Sequence, residues 1–183
     1  MRLIVLIILL NFLALSSKAE EIRISFNKEN AKYWGYISDR TMGGISNGQA
    51  FLDKDNDTLF ARLTGNVSTE NNGGFIQLRS TLSFMSLNNL EKKLSGVRIK
   101  TKGNGETYHI FIRTSKTRSY RDFYYATFIA NEDWETVDLP FINFKHRFSD
   151  SALDGNDIQT FGIVAYGRDF YSDVSISEII FYY

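Results

Sequence analysis

Two short strings hold most of the polar chemistry of this chain: Asp39-Arg40-Thr41-Met42-Gly43-Gly44-Ile45-Ser46 and Ser68-Thr69-Glu70-Asn71-Asn72-Gly73-Gly74-Phe75. Each packs charge, amide or hydroxyl groups and a glycine pair into eight residues. A glycine pair lets the backbone take positive φ or approach another group closely. The neighbouring Asp, Arg, Glu and Asn side chains can then bond to backbone and to one another. Two kinds of chemistry are open. Asp39 with Glu70 would make a carboxylate pair of the sort that hydrolyses glycosides. Structural hydrogen bonding would instead lock the two loops together, and the glycine-rich context favours that reading for Asp39, Arg40 and Glu70.

Other catalytic signals are sparse. The two histidines, His109 and His146, are far apart and fit no metal-ligand spacing. His109 alternates with Tyr108 and Ile110, the setting of an ordinary surface histidine. No nucleophile elbow, phosphate loop or dinucleotide fingerprint occurs, and Gly103-Asn104-Gly105 reads as a turn. With no cysteine there is no disulfide, catalytic thiol or thiolate metal site. Asp53, Asp55 and Asp57 have the spacing of a calcium loop, but Thr58 stands where its glycine belongs and Thr64 where its glutamate belongs. They remain a weak calcium candidate beside the simpler reading, a polar turn. The residues point to a binder without cofactor, not an enzyme.

A binding surface follows from alternation. If residues 74–80 form a strand, Phe75, Gln77 and Arg79 share one face while Ile76 and Leu78 face the core. Arg113 would join them from a strand over 106–113. A guanidinium fork beside an aromatic ring suits a carboxylate, a sugar hydroxyl array or a partner's carbonyls. The competing reading, in which Glu70 or Asp39 holds Arg79 internally, stays open for Gln77 and Arg79. Tyr120 and Phe123-Tyr124-Tyr125 form a second aromatic stretch that suits either a core or a ligand platform.

The elements that must carry these residues are short strands. Alternating segments run over 22–26, 59–63, 74–80, 97–102, 108–113, 123–130, 134–139, 161–166 and 174–182, separated by Gly, Asn, Asp and Ser clusters. Helical periodicity is confined to 86–94, with a further turn over 141–148. The pattern predicts an all-β chain: one antiparallel β-sandwich, most simply a jelly roll, with at most one or two short helices.

Residues 1–19 read as a signal peptide, with Arg2, an apolar run from Leu3 to Leu15 and a small-residue site at Ser17-Lys18-Ala19. The alternative is an uncleaved N-terminal anchor, the one segment through which the chain would touch a membrane. Residues 20–183 form the domain, which is exported: periplasmic or secreted. Its 19 basic and 21 acidic residues leave no basic excess for nucleic acid. Asn56-Asp57-Thr58 and Asn66-Val67-Ser68 are glycosylation sequons.

Taken together, Trp34, the 39–46 string and Gly65 through Arg79 closely resemble the complex I intermediate-associated protein 30 family. The likeness continues through Gly103-Asn104-Gly105 with Tyr108, through Trp134 to Phe144, and through the strands over 158–163 and 174–180. It covers essentially all of residues 20–183. The resemblance implies a galactose-binding-like jelly roll and a non-catalytic role, since mitochondrial members are chaperones for assembly intermediates of NADH:ubiquinone oxidoreductase. The implied partner is a protein, such as a membrane respiratory complex subunit. Carbohydrate-binding modules share the implied fold, so a saccharide ligand is the alternative. Two departures stand out. Asn104 occupies a place where the family pattern leads us to expect Asp, and the leader is apolar where a mitochondrial transit peptide would be Arg-rich.

Overall fold

The computed structural model describes residues 21–82 and 90–183. The expected leader lies outside these residues, as does the first part of the helix read over 86–94. The described part of that stretch, 90–94, is bent and not helical; it buries Leu94, and Leu90 packs on the core.

Twelve strands are described: β1 (Ile22–Ser25), β2 (Trp34–Ser38), β3 (Asn47–Asp55), β4 (Thr58–Val67), β5 (Phe75–Ser80), β6 (Gly96–Gly103), β7 (Thr107–Thr114), β8 (Tyr124–Ile129), β9 (Glu135–Pro140), β10 (Lys145–His146), β11 (Ile158–Tyr166) and β12 (Phe170–Tyr182). They form two six-stranded antiparallel sheets. The first runs β3-β4-β12-β6-β9, with β1 beside β12; the second runs β10-β8-β7-β11-β5-β2. This is an all-β sandwich of jelly-roll type. The 141–148 stretch gives a single 3₁₀ turn, Phe141–Asn143, followed by β10.

Alternation sets which side chains meet in the middle. Leu63, Ile99, Ile176 and Phe181 point inward from the first sheet, and Ile76, Tyr108, Ile110, Phe161 and Ile163 from the second, all essentially inaccessible. A register shift between Ile176 and Glu178 inserts one residue into β12, so that Val174 and Ile176 before it and Ile179 and Phe181 after it face the same core. Phe26, Trp34, Phe161 and Phe181 pack as a chain of rings with centroids 5.2, 6.4 and 5.7 Å apart. Fully burying each such side chain is worth about 1.5–3 kcal/mol, which lets packing hold a chain without cysteine.

Three strands escape the sequence pattern: β2, β3 and the two-residue β10, which falls in the stretch read as a turn. β3 sits at the edge of its sheet and carries only Ala50 and Leu52 toward the core, so its register comes from pairing with β4. β2 holds Trp34 and Tyr36 against the core and lies on the edge next to β5. The Asn104 turn is also resolved. Its amide oxygen accepts the Tyr108 hydroxyl at 2.7 Å and its amide N–H donates to the Tyr171 carbonyl at 2.8 Å, a donation that Asp could not make. Burial pushes the Tyr108 hydroxyl up to about 12, so the phenol stays protonated as a core hydrogen-bonding group.

Candidate functional site

The two glycine strings meet around one carboxylate. Asp39 is fully buried and accepts from the Ser46 N–H (3.0 Å), the Ser46 hydroxyl, the Gly74 N–H (2.6 Å) and the Phe75 N–H (3.1 Å). Ser46 Oγ in turn accepts the Ser68 N–H at 3.0 Å. Gly44 and Gly73 are glycines for a steric reason. A Cβ at either would stand 2.4–2.5 Å from the Asp39 carboxylate. Gly74 has φ +123, a conformation that side-chain-bearing residues rarely adopt. The brace therefore fixes the first residue of β5, and the Gly167 N–H to Gly74 carbonyl bond (2.8 Å) ties it to the end of β11.

The favoured structural reading of Asp39 holds, and two alternatives to it fall. Asp39 does not hold Arg79, and it cannot serve as half of a glycosidase pair, because water and substrate have no access to it. Glu70, Asn71, Asn72, Arg40 and Met42 lie exposed on the surfaces of the braced loops, and Asn71 and Asn72 take positive φ of 56° and 58°. Trp34 packs against the core at the other end of β2, opposite Ser80, and Gly43 takes φ +90 to turn the first loop. The calcium candidate dissolves as well. Asp53 faces Arg62 at 3.5 Å, Asp55 faces Lys102 at 3.5 Å and Asp57 faces Lys54 at 3.4 Å, and no metal-ligating cluster exists among the described residues.

The outer face of the second sheet is a different environment. Register places Arg79, Gly162, Phe111 and Tyr125 in one row across β5, β11, β7 and β8. Gln77, Val164 and His109 form the next row, and Phe75 lies opposite Tyr166. Although it points away from the core, Val164 is 0% exposed, because aromatic side chains cover it. Phe111 and Phe123 stack at 3.9 Å between centroids with planes 18° apart. Tyr166 meets Phe111 edge-on at 5.2 Å and His109 at 5.4 Å. Together His109, Phe111, Phe123, Tyr125, Tyr166 and Arg147 line a pocket of about 190 Å³. Of the aromatic stretch 123–125, only Phe123 and Tyr125 face this surface; Tyr124 is a core residue, and Tyr120 is exposed on a neighbouring loop.

Polar groups on this face are under-satisfied. Gln77 is 4% exposed with an unpartnered Oε1, which overhangs Gly162. His109 Nδ1 is buried and unpartnered, and burial together with Arg168 lowers its basicity. Arg113 donates Nη2–H to the Tyr120 carbonyl at 2.8 Å, while its Nε and Nη1 have no acceptor. Burial first, and then neighbouring Arg79, push Arg113 down to about 10, against a smaller opposing pull from Asp122. Burial also lowers Arg79. No carboxylate among the described residues pairs with Arg79 or Arg147; the Arg147 guanidinium lies 5.2 Å over each of Phe123 and Phe148. The sequence pattern had placed Phe75, Gln77, Arg79 and Arg113 on one surface, and the strands bring them there, but the pocket itself belongs to rings on β7, β8 and β11.

Beside the pocket, His146 Nε2 stands 2.7 Å from Asp122 Oδ1, and His146 Nδ1 is hydrogen-bonded to the Ser149 hydroxyl at 2.8 Å. Ser149 Oγ is also bonded to Ser151 Oγ at 2.8 Å, and Ser151 reaches the Tyr124 hydroxyl at 3.1 Å. This chain of bonds fastens the 147–152 loop to β10 and β8. The Asp122 carboxyl is held below its usual range, first by the Arg118 N–H.

Comparison with known proteins agrees with this architecture. Residues 24–173 match the family described as complex I intermediate-associated protein 30. No curated protein matches the sequence. Among solved structures, the family 11 carbohydrate-binding module of a cellulosomal cellulase from Clostridium thermocellum superposes with TM-score 0.71 at 15% identity, over 91% of this chain and 96% of that one. The same module in complex with a β-1,3-1,4-mixed-linked tetrasaccharide gives TM-score 0.70 at 15% identity, over 91% and 97%. A family 30 carbohydrate-binding module gives 0.54 at 15% identity, over 90% and 89%. At such identities the likeness is one of fold.

Proposed function

The chain belongs to the complex I intermediate-associated protein 30 family, and from that premise we propose that it is an exported, non-catalytic binding protein that holds a saccharide on the outer face of its second sheet. One observation carries this reading. The pocket has an apolar floor, Phe111 and Phe123, and a rim of hydrogen-bonding groups from His109, Tyr125, Tyr166 and Arg147. A pyranose has the matching character, with an apolar C–H face and a polar hydroxyl edge. Rings already buried against one another need little reordering to receive it, so little of the contact energy is spent on immobilisation. The fold shared with carbohydrate-binding modules supports the ligand class.

Titration of the ¹⁵N-labelled domain with a panel of neutral and acidic oligosaccharides tests this. Shifts should concentrate at His109, Phe111, Tyr125 and Tyr166, and a panel that moves none of these amides sinks the reading.

Family membership favours a second reading, in which the same face docks on a protein. The family description names intermediates of respiratory complex I, and an exported member would meet such an assembly, or another membrane complex, from its outer side. Affinity capture from native membranes separates the two. Recovery of respiratory subunits that is abolished by Phe111→Ala supports docking, whereas capture without any membrane complex counts against it.

A further inference from the structure

The outer face of the first sheet neutralises its guanidiniums internally. Arg62 grips Asp173 with two bonds of 2.8 and 2.7 Å. Arg98 meets Glu21 at 3.3 Å, and Arg23 pairs with Glu178. The outer face of the second sheet does the opposite. Among the described residues, Arg79 and Arg147 meet no carboxylate, and Arg113 spends its hydrogen bonding on one carbonyl. The six pocket residues include no acid. Asp122 accepts the Arg118 N–H and stands 2.7 Å from His146 Nε2. Outside the described residues the sequence holds a single carboxylate, Glu20. A chain with as many acidic as basic residues thus leaves one aromatic face with guanidinium charge that, among the described residues, no ion pair neutralises and only a weak pull of Asp122 on Arg113 opposes.

We propose, resting on the saccharide reading above, that the ligand is an acidic oligosaccharide. One unit sits among His109, Phe111, Tyr125 and Tyr166 beside Arg147, and the chain crosses Gly162 toward Arg79. Charge complementarity fixes the class. A guanidinium fork is the side chain best matched to a carboxylate, which it can take with two parallel bonds, and Arg113 behind Phe123 adds fixed positive charge to the same surface. Geometry fixes the length. Phe111 and Arg79 stand on strands two spacings apart, about 10 Å, more than one sugar ring covers. Gly162 adds no side chain of its own to the row between them, where the buried and unpartnered Gln77 Oε1 lies over it. A uronate oligomer has the repeat to use both ends; a single uronic acid does not.

Calorimetry on the intact domain tests this with trigalacturonate, galacturonic acid, cellotriose and a tri-glutamate peptide as probes. Trigalacturonate should bind about tenfold or more tighter than cellotriose, with affinity falling as salt is added, because charge-assisted hydrogen bonds carry the difference. Arg79→Gln, at a partly exposed side chain outside the pocket, should cost about tenfold for the acidic trimer and leave cellotriose unchanged, with melting temperature confirming the fold. Arg147→Gln, in the pocket itself, should weaken both trimers, the acidic one by about tenfold more. The monomer should be insensitive to Arg79→Gln. Equal affinity for the two trimers, or no effect of either substitution, overturns the acidic assignment while the saccharide reading stands. Failure of every glycan removes both. Tri-glutamate binding as tightly as trigalacturonate, with the same dependence on Arg79, overturns the saccharide class and transfers the charged face to a protein partner.

Discussion

The two outer faces of the sandwich draw on the same residue types, arginine beside aromatic rings, and treat the charge in opposite ways. On the first sheet Lys102 lies 5.5 Å over Phe60 and 5.1 Å over Trp134, yet it also faces Asp55, and its neighbour Arg62 is clamped by Asp173. The cleft there, about 370 Å³, is larger than the pocket on the other sheet and is lined by mutually paired charges. On the second sheet Arg79 and Arg147 meet no carboxylate among the described residues, and Arg113 leaves Nε and Nη1 without an acceptor. The contrast shows that neither cleft size nor aromatic content identifies a binding face. What distinguishes it is polar capacity that the fold has positioned without satisfying.

The most severe way to break the comparison is to remove the scaffold that both faces share. Asp39→Ala strips the acceptor from four donors and should destabilise the domain by about 3–5 kcal/mol, measured by urea unfolding, with both faces lost together. Survival of the fold with less than about 1 kcal/mol lost would mean the loops brace each other without the carboxylate. A smaller effect sharpens the first face. Arg62→Ala should cost no more than about 1 kcal/mol, because the pair is partly solvent-exposed. The loss should shrink with added salt and leave ligand affinity untouched.

A third test uses pH. Burial and Arg168 hold His109 below the ordinary imidazole range of about 6.5. The unfolded chain therefore binds a proton more readily than the folded one, so stability is complete above that range and declines as pH falls through it. His109→Gln should flatten this part of the pH–stability profile, and an unchanged slope would place His109 in water. The smallest effect belongs to Arg79. Because it faces Arg113 and no acid, Arg79→Gln should leave stability unchanged or raise it by a few tenths of a kcal/mol, where the equivalent change at Arg62 lowers it.

Much of this was legible before any coordinates. Alternation along residues 74–80 assigned Ile76 and Leu78 to the core and Phe75, Gln77 and Arg79 to the surface, because period two is a local property of a strand. The brace was half legible. Glycine pairs beside Asp39 and Glu70 announced a hydrogen-bonded loop system, but only the fold shows that Asp39 is its centre and Glu70 its exposed rim. The pocket was not legible. Its walls come from β7, β8 and β11, and partners such as Gln77 and Val164 become neighbours only through pairing. One signal was available and passed over. β7 fills its inward positions with Tyr108, Ile110 and Ile112 and still places His109 and Phe111 outward, which marks a strand with something on both faces. β3 carries little intrinsic strand signal for the converse reason: it is an edge strand with no β-branched residue, and apart from Phe51 its outward positions are polar.

The long strand β12 pairs with β6 along one edge and shares its other edge between β4 and β1. Ile22 to Ser25 thus find their partners at residues 178–181, near the opposite terminus. A chain that emerges from a ribosome amino end first must carry β1 unzipped until residues 178–181 are through. Closure is consequently a late, long-range event of the kind that makes folding slow, and a nascent chain stalled before Phe170 should leave the β1 amides open to deuterium.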